Sequence, residues 1–172
     1  MIEIIPLVEA LAKPSIRDRH WDDIIEITKT EIPYNSESFT FAQLLSAPLL
    51  QYREDIEDIT DSADKQLKLE KQLNEDIIAH WETAELEIKD WKGVPQPCTL
   101  GGNIIEITEK LEEHIMALNQ MNAMRYVTPF KAIVTDRISV LSDAADQVEK
   151  WLKVQTLWTN LVSVFTSGDI AK

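Results

Sequence analysis

From Leu141 onward the hydrophobic positions fall into two rows. Leu141, Val148, Gln155 and Val162 repeat every seven residues, and Ala144, Trp151, Trp158 and Phe165 follow three residues behind. Seven residues is almost two helical turns, so both rows lie on one side of a helix. This is the pattern of a knobs-into-holes seam with one polar position, Gln155, set into it. Indole is costly to expose, so such a seam is expected to press against another element. Trp151, Trp158 and Phe165 are therefore core candidates, and Trp21 and Trp81 hold the same place in the helices that precede them.

The same reading along the rest of the chain predicts mostly helices. An apolar helix spans residues 2–12, entered through Pro6. Lys13-Pro14-Ser15 ends it, and a second helix spans residues 15–29 with Trp21, Ile24, Ile25 and Thr28 facing inward. In His20-Trp21 and in His80-Trp81 the indole is expected in the core and the imidazole at its edge. A polar loop over residues 32–38 leads to a short helix over 40–46, capped by Ser38 or Thr40. The longest pattern covers residues 48–84 through Leu49, Tyr52, Ile56, Ile59, Ala63, Leu67, Leu73, Ile77 and Trp81. Unbroken, it would reach about 55 Å. Its stripe changes phase near Asp61-Ser62-Ala63-Asp64, where a capping signal also sits, so two helices or one kinked helix are expected there.

Between residues 85 and 100 the period changes to two. Leu86, Ile88 and Trp91 alternate with charged residues, Gly93-Val94-Pro95-Gln96-Pro97 excludes a helix, and Cys98-Thr99-Leu100 returns as a partner strand. An isolated hairpin is marginal in water, so this one should lie against helices. Gly101-Gly102 ends it, and Asn103 with Glu106 reads as a capping box for a helix over 103–124. The last helix, 130–166, is expected to stop at Ser167-Gly168-Asp169. The fold class is mainly α: an elongated helical bundle with one small β-hairpin at about 85–100, in a single piece covering residues 1–172.

Composition narrows the partners. With 30 acidic against 17 basic residues the net charge is −13, which argues against nucleic acid and against an anionic membrane. A single cysteine, Cys98, excludes an internal disulfide and fits a reducing, cytosolic compartment. No secretion signal or membrane-spanning run is read. Phosphate-cradling loops of either common type are missing. None of His20, His80 and His114 has glutamate three residues before it, as a di-iron bundle requires, and Asp76 with His80 makes only two ligands. Cys98 has no identifiable histidine partner, and no serine sits in a nucleophile elbow. The acidic runs 54–58 and 109–113 read as wet helix faces. No catalytic residue, metal ligand or cofactor-binding residue is assigned.

The wording of the chain resembles one family throughout. Ile5-Pro6-Leu7-Val8-Glu9-Ala10-Leu11, then Pro14 and Arg17-Asp18-Arg19-His20-Trp21, is similar to the run in dynein heavy chains where a short apolar helix precedes R-x-R-H-W. Phe39 to Leu45, Leu69 to Leu73 and Trp81 with Leu86-Glu87-Ile88 resemble the segments that follow. Met121 with Met124-Arg125-Tyr126-Val127-Thr128-Pro129-Phe130 resembles M-x-x-S-R-Y-V-x-P-F, with Met124 in place of serine. Trp151-Leu152-Lys153-Val154-Gln155, Trp158 and Phe165 to Ile170 resemble the family's W-L-x-V-Q stretch and its close, with Val164 in place of isoleucine. The flavour is closer to axonemal than to cytoplasmic heavy chains.

The resemblance implies a piece of the linker, in N-terminal region 2 of the heavy chain. The linker is the mostly helical arm that arches over a ring of six AAA+ modules and delivers the power stroke. ATP and magnesium would belong to that ring and not to this fragment, which is then no enzyme itself. Implied partners are the AAA+ ring and the remaining linker of the same heavy chain and other dynein subunits, with microtubules reached only through the parent chain. The implied location is cytoplasm and cytoskeleton, including the axoneme of cilia or flagella. Two rivals remain on sequence alone: a free-standing acidic helical adaptor that binds a partner helix, and a helical enzyme with a polar pocket.

Overall fold

The computed structural model describes residues 4–37, 39–92 and 94–166, without the side chains of 94–98 and 166. The expected cap at Ser38, the glycine at Gly93 and the helix end at 167–169 lie outside the described residues. The chain divides into two compact units, residues 1–72 and 73–172.

The first unit holds α1 (Ile5–Leu11), α2 (Asp18–Thr28), α3 (Phe41–Ser46), a 3-10 turn at Leu49–Tyr52 and α4 (Arg53–Lys71). Pro6 stands in the first turn of α1, where its missing N–H costs no hydrogen bond. Thr40 caps α3 in a reciprocal box: Thr40 Oγ1 accepts from the Gln43 N–H, and Gln43 Oε1 accepts from the Thr40 N–H at 2.8 Å. Leu7, Leu11, Ile24, Leu49 and Ile56 form the core, with Trp21 half-buried beside them.

The expected break at Asp61–Asp64 is not there. Helix α4 runs through it without interruption. Ala63 is fully buried, and Asp64 uses its carboxylate on the chain ahead of α2 instead of on its own backbone. The irregularity lies farther on, where Gln72–Ile78 forms a π-helical segment. Its wider turn keeps Leu69, Leu73 and Ile77 buried at a spacing of four, which is how the change of phase in the stripe is absorbed.

The second unit contains most of that segment, then α5 (Ala79–Thr83), strands β1 (Ile88–Trp91) and β2 (Val94–Leu100), α6 (Ile104–Asn122), a 3-10 turn at Arg125–Phe130 and α7 (Lys131–Thr166). The strands pair antiparallel with Ile88 opposite Leu100 and Lys89 opposite Thr99. Asp90 faces Cys98 but Trp91 faces Val94, so Pro95, Gln96 and Pro97 are bulged out of the ladder. A proline has no N–H to give a ladder, and a bulge is where a strand tolerates it. Residues 94–97, expected as turn, thus belong to the returning strand.

Helices α6 and α7 pack as an antiparallel pair, since Ile104 at the start of α6 meets Val148 and Leu152 well along α7. Both carry heptad rows: Ile104, Leu111 and Leu118 on α6, Val134, Leu141 and Val148 on α7, all buried. At 19 residues α6 is about half as long as α7 at 36. The far end of α7 therefore outruns its neighbour, and burial along the seam fades after Val148.

Candidate functional site

The described residues bring together side-chain braces between helices. In the first unit the hub is Asp64 on α4. Its Oδ1 accepts from Ser15 Oγ at 2.6 Å, and its Oδ2 accepts from Lys13 Nζ at 2.8 Å. Ser15 is only 2% exposed, so its hydroxyl depends on this carboxylate. The bonds from Lys13 and Ser15 hold the Asp64 carboxyl below its ordinary pKa.

Two residues farther, Gln66 Oε1 accepts from Arg19 Nε at 2.9 Å and lies 3.0 Å from His20 Nε2. His20 Nδ1 accepts the N–H of Arg17 at 3.0 Å, closing the first turn of α2. With Nδ1 accepting, the ring proton is on Nε2, and a neutral imidazole satisfies both bonds. Burial pushes the His20 pKa down, in agreement with that tautomer. The expected arrangement of His20-Trp21 is thus reversed: His20 is buried and Trp21 half-buried. The buried place goes to the ring that has hydrogen-bond partners at both nitrogens. Trp21 stacks on Tyr34 with centroids 5.6 Å apart and meets Phe39 edge-on at 6.3 Å.

In the second unit the hairpin is seated on α7, where Leu100 shares a buried cluster with Val148. Gln155, the polar member of the apolar seam, accepts the Leu100 N–H through Oε1 at 2.8 Å. Trp91 meets Trp158 edge-on with centroids 4.9 Å apart. The root of the hairpin is tied to α6 by Asn103, whose Oδ1 accepts from the Glu87 N–H at 3.0 Å and whose Nδ2 donates to the Glu85 carbonyl at 2.9 Å. Asn103 therefore does not cap α6 as its spacing from Glu106 suggested; the preceding loop takes both ends of its amide.

Gly101 donates its N–H to the Glu87 carbonyl, and a Cβ on Gly101 would lie 2.8 Å from Glu87 Cγ. Trp81 Nε1 donates to His114 Nδ1 at 2.9 Å. Beside these rings is a cleft of about 160 Å³ lined by His80, Ala84, Glu85, Asn103, Ile107 and Lys110, together with Glu106. Among the described residues no group of three or more His, Cys, Asp or Glu side chains is placed to hold a metal ion. Among them, too, no helix is long and apolar enough to cross a membrane.

The five aromatic candidates divide. Trp21, Trp81 and Trp158 are half-buried and each makes a defined ring contact. Trp151 and Phe165 are 41% and 56% exposed and are not core within this chain. Trp151 lies level with the start of α6 but turned away from it, and Phe165 lies on the part of α7 that extends past α6, where Val154, Leu157 and Leu161 are exposed as well. Sequence reasoning passed over Asp64, Gln66 and His114 as members of the braces. A polar residue inside an apolar row, as at Gln155, is the one signal that pointed to such a role.

Fold and braces together define a scaffold of cross-tied helices. Residues 1–172 match the family described as dynein heavy chain, N-terminal region 2, and the chain belongs to that family. It is 37% identical over 170 residues to dynein axonemal heavy chain 8 of Homo sapiens, and 37% identical over 171 residues to the dynein gamma chain, flagellar outer arm, of Chlamydomonas reinhardtii. Against dynein axonemal heavy chain 5 of Mus musculus the identity is 35% over 170 residues. Each alignment takes in 99% of this chain but only 4% of the relative. The chain thus spans a small part of the length of the relatives it resembles, and what it carries is a stretch of a dynein heavy chain's N-terminal region.

Proposed function

We propose that this stretch is part of the mechanical linker of a dynein heavy chain, the lever that turns ATP-driven changes of the parent's AAA+ ring into movement along microtubules. The observation that carries the reading is the bracing within each unit, by Asp64 and Gln66 in the first and by Gln155, Trp158 and Asn103 in the second. An arm that transmits force must resist bending between its helices, and side-chain ties across helices supply that resistance.

The exposed apolar end of α7 fits burial by further linker of the same heavy chain, because large apolar patches on soluble proteins mark surfaces that another element covers. That end carries Lys150 and Lys153 and no acid as far as Thr166, so an apolar surface with an acidic rim complements it. The nucleotide chemistry would belong to the ring of the parent chain, and microtubules would be reached only through that parent chain. The axonemal and flagellar relatives support a working location in cilia or flagella.

Blotting source-cell extract with an antibody to this chain tests the parentage. The 19.7 kDa of this chain is a small fraction of a heavy chain, so a band of several hundred kilodaltons that leaves microtubules on addition of ATP is expected. A band no larger than this chain and indifferent to ATP would contradict it and favour the adaptor.

A further inference from the structure

We propose that His80, Trp81 and His114 form a proton-operated latch that fastens α5 to α6 while His114 is neutral and releases it when His114 takes up a proton. The geometry fixes the closed state. Indole N–H is a donor only, so His114 Nδ1, 2.9 Å from Trp81 Nε1, must present its lone pair and carry its proton on Nε2. The His80 ring stands perpendicular to both partners, with centroids 4.8 Å from Trp81 and 5.3 Å from His114.

Protonation can occur on His114 only at Nδ1. It would set donor against donor across the 2.9 Å contact and place a cation beside the His80 ring. The bond cannot survive that change.

Two features make the release local. Helix α5 is five residues long and has no fully buried side chain, and it lies between two fixed points, the buried Ile77 before it and the Glu85 carbonyl held by Asn103 after it. His114, by contrast, is 8% exposed on the long helix α6 and keeps its place whichever state it is in. The charged groups that act on His114 are His80 from α5, Asp76 from the π-helical segment, and Glu113 and Lys110 from α6 itself. Burial holds its pKa below the ordinary 6.5, with His80 and Lys110 adding to that effect while Glu113 and Asp76 oppose it. The latch is therefore shut at neutral pH and opens as the pH falls below the ordinary histidine value. His80 and Ala84 also line the cleft beside α6, so opening widens the cleft and slackens the joint that leads into the hairpin.

Nitrogen-15 labelling of the five indoles tests this on the intact chain, with the Trp81 signal assigned from Trp81→Phe. Between about pH 7.5 and 5.5, across the ordinary histidine range, the Trp81 Nε1–H resonance should move in step with the His114 ring, with a midpoint below 6.5. Protection of the amides in residues 79–83, taken relative to their intrinsic exchange rate at each pH, should fall several-fold over the same span. His114→Gln keeps an acceptor without a titrating nitrogen, so there the protection of residues 79–83 should become independent of pH. His20→Gln should leave the Trp81 titration in place. The proposal is overturned if the Trp81 resonance stays fixed while His114 titrates, or if the protection of residues 79–83 still falls with pH in His114→Gln. Simultaneous collapse of all five indole signals would overturn it too, because the release would then be global unfolding. If His114→Gln does not fold, comparison of the Trp81 and His114 titrations in the unaltered chain decides alone.

Discussion

Removing Asp64 should cost more than removing the partner it binds, and removing both should restore part of the loss. Asp64 serves two donors of very different exposure: Lys13 is largely in solvent, whereas Ser15 is 2% exposed. An exposed ion pair is screened and contributes little, so Lys13→Ala is expected to leave stability within measurement scatter. Asp64→Ala leaves the buried Ser15 hydroxyl without a partner, and an orphaned buried polar group costs about 1–3 kcal/mol.

Ser15→Ala is milder. It removes one charge-assisted bond but leaves Asp64, whose side chain is 39% exposed, with water and Lys13, so a loss of about 1 kcal/mol is expected. In the double variant neither an orphaned hydroxyl nor a lost acceptor remains. Its stability should therefore lie about 1 kcal/mol above that of Asp64→Ala alone. Urea titration followed by far-UV circular dichroism reads the unaltered chain and all four variants with a common slope. Losses in the double variant equal to the sum of the two single losses would refute the reasoning, since that result would mean that Asp64 and Ser15 act independently.

Three further outcomes follow from the braces. Both His20 and His114 have folded pKa values held below 6.5, so their contribution is present above that value and is lost as pH falls through it; Tm should decline between about pH 7 and 5.5, and His20→Gln with His114→Gln should flatten that decline. Asp64 and Glu87, whose carboxyls are held below 3.8 and 4.5, keep their contribution across that window and give it up only in stronger acid. Gly101→Ala would drive a methyl to within 2.9 Å of three carbons of Glu87, and a loss of about 1–3 kcal/mol is expected in the same urea assay. A double-mutant cycle on Trp91 and Trp158, each changed to leucine, should give a coupling of about 0.5–1.5 kcal/mol for the edge-on pair, and a coupling near zero would remove that contact from the account of how the hairpin is seated.

What the sequence disclosed was whatever depends on near neighbours. The heptad rows through Leu141 and Val148, the period-two run before Trp91, the cap at Thr40 and the proline that opens α1 all follow from residues within a turn or two of each other. The seam itself was legible, but not where its cover stops, because the relative lengths of α6 and α7 govern that. The change of phase in the long helix could also be seen, yet not its position. Asp61–Asp64 carries a capping signal that is overruled by donors at Lys13 and Ser15, which are 51 and 49 residues away. Likewise the burial of His20 over Trp21 depends on Gln66, 46 residues on, and the diversion of Asn103 from its cap depends on the chain at Glu85 and Glu87. The family could be recognised from short motifs in series, although none of those motifs shows what its side chains touch.

The lever reading is tested most directly by the distance moved per ATP hydrolysed. The parent heavy chain would carry Asp64→Ala and Gln155→Leu, one brace removed from each unit, and microtubule gliding speed would be compared with ATP turnover on the same preparation. If this stretch transmits force, turnover should persist while speed falls several-fold. Speed that stays in its original proportion to turnover, in a protein whose braces are shown to be weakened, would contradict it.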